Sequence, residues 1–187
     1  MLHTFVVYVD NKPGVLNRVA SLFRRRAFNI ESLTVGHTET ADISRMTVVC
    51  ETDEYGARRL EAHLYKVVPV RRVENITNKA VIERDLALIK VKVSGESRTH
   101  VMQLVDVYRA RVVDVSADSL VVETTGTEDK IESLVDVLRP FGIIEIVRTG
   151  LIAMVRGTGA AERPGRRSTN GHSMAAAAAA DVSSGSV

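Results

Sequence analysis

Asp10-Asn11-Lys12-Pro13-Gly14-Val15-Leu16-Asn17-Arg18-Val19-Ala20-Ser21-Leu22-Phe23-Arg24-Arg25-Arg26-Ala27-Phe28-Asn29-Ile30-Glu31-Ser32-Leu33-Thr34 carries a turn, an amphipathic helix, a second turn and the start of a strand in unbroken succession. An apolar run, Phe5–Val9, leads into it as a strand. Asn11-Lys12-Pro13-Gly14 is a turn. Val15, Leu16, Val19, Ala20, Leu22 and Phe23 then recur at helical spacing, with Asn17, Arg18, Ser21, Arg24 and Arg25 on the opposite face. A second turn at Arg26-Ala27-Phe28-Asn29 leads into another strand. A strand, a glycine turn and a helix start thus follow one another directly. That order aims free backbone N–H groups and the positive end of a helix dipole at whatever lies beside Gly14, and a carboxylate suits that place.

Residues 29–37 and 43–51 alternate as strands around the polar loop 37–42. A helix over 53–66 has Ala57, Leu60 and Leu64 inward and Asp53 as its N-cap. Residues 67–76 give a fourth strand, and Pro69 marks its first residues or an edge. The order is β-α-β-β-α-β. Residues 77–85 read as a linker turning into a strand, after which the order repeats. A strand at 86–93 is followed by a helix with Val101, Leu104, Val105 and Tyr108 inward, then a hairpin of Arg111–Val115 and Leu120–Thr124. A helix after Thr127 presents Ile131, Leu134, Val135 and Leu138, and Ile143–Arg148 is the last strand.

Each half is the split βαβ, ferredoxin-like plan, an α+β fold in tandem. Right-handed crossovers put both helices of a half on one face of an antiparallel four-stranded sheet. The other face has no cover from its own half, yet alternation puts Val6 and Tyr8 there, opposite Phe5, Val7 and Val9. Both halves therefore need partners, in this chain or in a second one. The expected domains are 1–77, 78–156 and a tail, 157–187. The tail has no apolar periodicity and only alanines in number, and is expected to be disordered.

Composition narrows the function. The 187 residues are 45% hydrophobic and 26% charged, a globular balance. No apolar run is long enough to span a membrane, and no secretory leader is visible, so a cytoplasmic location is expected. Net charge is only +2, and the chain has four Phe, four Tyr and no Trp, which argues against a nucleic-acid partner. Arg24-Arg25-Arg26 suits the negative end of a helix dipole. Cys50 sits in a strand pattern and reads as a small buried thiol. The five histidines have no metal-ligand spacing, and there is neither G-x-G-x-x-G nor a Walker sequence. No catalytic constellation emerges and no cofactor is expected in this chain. A binding or regulatory role fits better than an enzyme.

The strongest functional pattern is the first turn. Gly14, Val15 and Leu16 offer N–H groups for a carboxylate, Asn11 and Asn29 offer amides for an ammonium, and Ile30 offers an apolar contact. A small zwitterion fits these parts. The competing reading makes Asn11 an N-cap or turn residue, Pro13-Gly14 a plain turn, and Asn29 a residue tolerant of left-handed backbone.

Asn11–Leu16 with Arg25–Leu33 resembles the ACT domain of acetolactate synthase small regulatory subunits. Ser44-Arg45-Met46-Thr47 resembles the same family's third-strand motif, and Arg84–Val91 with Ile144–Gly150 resembles its C-terminal domain. The resemblance covers roughly residues 3–157. It implies a non-catalytic subunit that activates a large subunit carrying thiamine diphosphate, magnesium and FAD, and that confers feedback inhibition by a branched-chain amino acid, usually valine. It further implies a homodimer with the effector between two ACT domains. The carboxylate would meet Gly14-Val15-Leu16, and Asn11, Asn29 and Ile30 would complete the site across the interface. A free-standing ACT sensor of another enzyme or of transcription is the alternative. One departure stands out: the family usually has Gly where this chain has Ala27, so a left-handed helix end there costs on the order of 1 kcal/mol.

Overall fold

The computed structural model describes residues 1–157. The expectation for the tail thus falls almost wholly outside the described residues. The first half runs β1 (Leu2–Asp10), α1 (Val15–Arg25), β2 (Ser32–His37), β3 (Ile43–Glu51), α2 (Glu54–Leu64) and β4 (Val70–Asn75). The second runs β5 (Val81–Lys92), α3 (Gly95–Val107), β6 (Arg111–Val115), β7 (Ser119–Gly126), α4 (Glu128–Leu138) and β8 (Ile143–Arg148), with an added strand β9 (Ile152–Val155). The sheets are antiparallel, ordered β2-β3-β1-β4 and β6-β7-β5-β8. This is two ferredoxin-like units, as the alternation predicts.

The cores follow the two periodicities. Phe5, Val7 and Val9 of β1 pack under Val15, Val19, Leu22 and Phe23 of α1 and Ala57, Leu60 and Leu64 of α2. Ala87, Ile89 and Val91 of β5 pack under Val101 and Val105 of α3 and Ile131, Leu134 and Leu138 of α4. Asp53 caps α2, accepting from the Gly56 N–H at 2.6 Å. Pro69 lies just before β4, an edge strand, where its missing N–H breaks no ladder.

Helix α1 ends in a Schellman closure. The Phe28 N–H donates to the Phe23 carbonyl at 3.0 Å and the Ala27 N–H to the Arg24 carbonyl at 3.2 Å. Phe28 packs edge-on against Phe23. Ala27 carries the left-handed backbone this closure needs, with φ 58°. Helix α3 ends in the same way, with Arg109 at φ 51° and the Ala110 N–H bonded to the Val105 carbonyl. Because the closure runs through Phe28, β2 starts at Ser32 rather than at Asn29 as the alternation suggests. Ala27→Gly relieves about 1 kcal/mol of local strain and loosens the unfolded chain by somewhat less. The expected result is a melting temperature up to about 2 °C higher, read by circular dichroism; a lower one would sink this account.

Residues 81–84 differ from the expected linker. They begin β5, a single strand that serves two partners. Val81–Arg84 pairs with β9, while Asp85–Lys92 pairs with β7 and, over Ala87–Val91, with β8. The β5–β9 ribbon lies over the open face of the first sheet. Val81 and Ala153 are buried there with Val6 and Ile76, and Tyr8 and Val155 pack beside them. Arg45 reaches across to donate to the Ala153 carbonyl. The cover that the first half lacks is thus supplied by the same chain. The matching face of the second sheet keeps Val113 and Val147 half exposed.

Candidate functional site

The turn between β1 and α1 is pinned to the loop between β2 and β3. The Asn11 N–H donates to the Asp42 carbonyl at 2.8 Å, and the Asn11 side chain donates to the Ala41 carbonyl at 3.0 Å beside His37. Asn11 is therefore not the N-cap. Gly14 is, with φ 81°, a backbone that suits glycine. A methyl group at Gly14 would meet open space.

Helix α1 begins without a side-chain cap and without an acid in its first turn. The other helices differ: α2 has Asp53 and Glu54, α3 has Ser94 and Ser97 in a capping box, and α4 has Glu128 and Asp129. The first N–H groups of any helix lack partners within the helix; in α1 no side chain caps them, and the Val15 N–H makes only a long bond, 3.4 Å, to the Lys12 carbonyl. Asp10, the acid nearest the turn in sequence, is already engaged. Arg71 donates to it at 2.5 Å and Lys12 lies at 3.4 Å. These partners, chiefly the Arg71 hydrogen bond, hold the Asp10 carboxyl below its ordinary pKa. The turn suits a carboxylate. Val15 is buried, and Leu16 is half exposed on the same first turn.

Asn29 and Ile30 lie elsewhere. They follow the far end of α1 and precede β2, with Ile30 packed on the first core and the Asn29 side chain donating to Glu31. Eleven helical residues separate the two sites, about 16 Å of rise. One amino acid spans about 3.6 Å of chain. A single copy therefore brings Asn11, Gly14, Val15 and Leu16 together at one end of α1, and Asn29 and Ile30 at the other. The six do not form one site within a chain.

Cys50 is fully buried. Burial, aided by the charge of Glu31, pushes its thiol pKa up to about 11, so it is protonated and inert at neutral pH. A thiol reagent at pH 8 is expected to label the chain only after unfolding; rapid labelling of the native protein would refute that. Among the described residues no cluster of three or more His, Cys, Asp or Glu side chains could hold a metal ion. Among them, too, no helix is long and apolar enough to cross a membrane.

The chain matches the AHAS small subunit-like ACT domain over residues 5–72 and the small subunit of acetolactate synthase over residues 84–157. It is 52% identical over 157 residues to the probable acetolactate synthase small subunit of Archaeoglobus fulgidus, covering 84% of this chain and 98% of that protein. The chain belongs to the acetolactate synthase small-subunit family. The Bacillus subtilis acetolactate synthase small subunit is 47% identical over 159 residues, 84% of this chain and 92% of that one. The crystal structure of the acetolactate synthase small subunit from Thermotoga maritima superposes with a TM-score of 0.79 at 37% identity, covering 85% of this chain and 99% of that chain. A small subunit implies a large, catalytic partner.

The sequence reading missed one group of residues that the fold gathers. Asp85 is a buried carboxylate in which both oxygens are used. Arg148 donates to one through Nε and a terminal nitrogen, both at 2.7 Å. The Thr149 hydroxyl and the Gly150 N–H donate to the other, each at 3.1 Å. Arg84-Asp85 and Arg148-Thr149-Gly150 are visible in the sequence as family motifs, but nothing in the spacing says that they meet.

Proposed function

We propose that this chain is the regulatory subunit that activates a thiamine-diphosphate-dependent acetolactate synthase large subunit in the cytoplasm and makes it sensitive to a branched-chain amino acid, valine first among the candidates. It is non-catalytic in this reading and carries no cofactor of its own. Thiamine diphosphate, magnesium and FAD belong to the large subunit.

The observation that carries the reading is the separation of the two half-sites around an edge strand. β2 is an edge of the first sheet, and its sequence Ser-Leu-Thr-Val-Gly-His contains neither proline nor a Lys, Arg, Asp or Glu to block pairing. Two copies joined antiparallel along β2 would set the start of one strand beside the end of the other. The start carries Asn29 and Ile30; the end, His37, lies beside Asn11 and the α1 turn. Such a homodimer completes two sites. In each, Gly14, Val15 and Leu16 of one copy face Asn29 and Ile30 of the other. N–H groups take the carboxylate, amide oxygens take the ammonium, and Leu16 and Ile30 take an aliphatic side chain.

Two measurements test this. Titration calorimetry with valine, leucine and isoleucine should give a stoichiometry of one amino acid per chain and a dimer by sedimentation. Mixing with the cognate large subunit should raise its rate of acetolactate formation and render it inhibitable by the amino acid that binds. A monomer that binds none of the three sinks the reading.

A further inference from the structure

The junction around Asp85 does more than close the second sheet. Asp85 stands where β5 passes from pairing with β9 to pairing with β7. It fixes the turn Arg148–Leu151, and the Thr149 hydroxyl also accepts from the Leu86 N–H at 3.1 Å. That turn in turn grips β2. The Leu151 N–H donates to the Ser32 hydroxyl at 3.0 Å, and the Thr34 hydroxyl donates to the Thr149 carbonyl at 3.4 Å. The fit is close. Gly150 has φ 85°, and a Cβ there would lie 2.8 Å from the Ser32 hydroxyl and 3.1 Å from that of Thr34. Beside it is a cavity of about 480 Å³, lined in part by Glu31, Leu33 and Arg148.

Ser32 lies two residues from Ile30. A displacement of the Asn29–Ile30 edge passes along the chain, through Glu31 and its bond to the Val49 carbonyl, to the two hydroxyls that the second half holds. We propose that the Asp85–Arg148–Thr149–Gly150 junction, through Ser32 and Thr34, is the coupling element that carries effector occupancy from β2 to the C-terminal sheet. This rests on the reading of the effector site given above. The junction is separate from the apolar ribbon contact of Val6, Ile76, Val81 and Ala153, so the ribbon can hold the halves together while the junction changes state.

The experiment uses the full chain with its cognate large subunit. Ser32→Ala with Thr34→Val removes both hydroxyls and leaves the effector residues and the ribbon untouched. Ser32→Thr with Thr34→Ser keeps them, and Gly150→Ala wedges the contact open. In wild type, valine, or whichever of leucine and isoleucine replaces it in the titration, should bind the isolated subunit and inhibit the holoenzyme; if none of the three does either, the effector reading fails and this inference falls with it. Given a wild type that does both, the hydroxyl-free and Gly150→Ala chains should bind valine within about threefold of wild type, yet leave less than half of the maximal inhibition. The hydroxyl-keeping pair should inhibit fully. Coupling of 5–150-fold is the ordinary range for such a link, so its loss is measurable. Full inhibition by the hydroxyl-free chain overturns the proposal. So does a tenfold loss of valine affinity that accounts for the lost inhibition, which would make the junction a wall of the effector site instead.

Discussion

A Gly14→Asp chain is expected to fold, to activate its catalytic partner, and to bind a branched-chain amino acid at least tenfold more weakly than wild type. The fold should survive because a Cβ at position 14 meets open space and the residue is exposed. The left-handed backbone at φ 81° costs about 1–2 kcal/mol for a residue with a side chain, less for Asp, which tolerates it better than most. Binding should weaken. The new carboxylate competes for the N–H groups of an otherwise uncapped helix. It also repels the ligand's own carboxylate. At about 4 Å and an effective dielectric near 20 the repulsion is up to roughly 4 kcal/mol before screening. A third of that is about tenfold in affinity. The measurement is valine titration against the reconstituted enzyme, with circular dichroism as the folding control. Undiminished inhibition by a well-folded variant would move the effector away from this turn.

The largest loss of stability is expected at Asp85→Ala. The carboxylate is buried and accepts from Arg148, Thr149 and Gly150. Removing it strands those donors against low-dielectric surroundings. Breaking a buried charge pair from one side costs about 3–5 kcal/mol. Arg148 is 30% exposed and keeps a contact with Glu132, so the lower end applies. For a chain of this size that is a drop of roughly 6–12 °C in melting temperature. Asp85→Asn, which keeps the shape and most hydrogen bonds, should lose less. A change under 2 °C for Asp85→Ala would show that water replaces the carboxylate without cost.

The difference between these two positions explains what the sequence could reveal. The Gly14 turn is written in consecutive residues: a strand, Pro-Gly, then apolar side chains three and four apart. Local chemistry suffices to read it. Asp85 is surrounded in sequence by strand residues, and its partners stand more than sixty residues away. No period links them. β9 is missed for a related reason. Four residues, Ile-Ala-Met-Val, are too few to show alternation, and their partner is the first third of a strand whose beginning reads as a linker. Asn29 is legible as a residue type, and its separation from Gly14 follows from the 11 residues of α1, about 16 Å of rise.

That late strand has a consequence for how the molecule is made. The ribosome delivers the first sheet complete in its own strands by Asn75, yet β9 emerges some 80 residues later. At roughly 5–20 residues per second, Val6, Tyr8 and Ile76 stay bare for about 4–16 s of every synthesis cycle. During that interval the nascent first half is a sticky half-product, and neighbouring polysome copies are its nearest hazard. A gene truncated before residue 152 would make the condition permanent. The ribbon therefore acts as a late-arriving seal, which ties the folding of the amino-terminal module to completion of the chain.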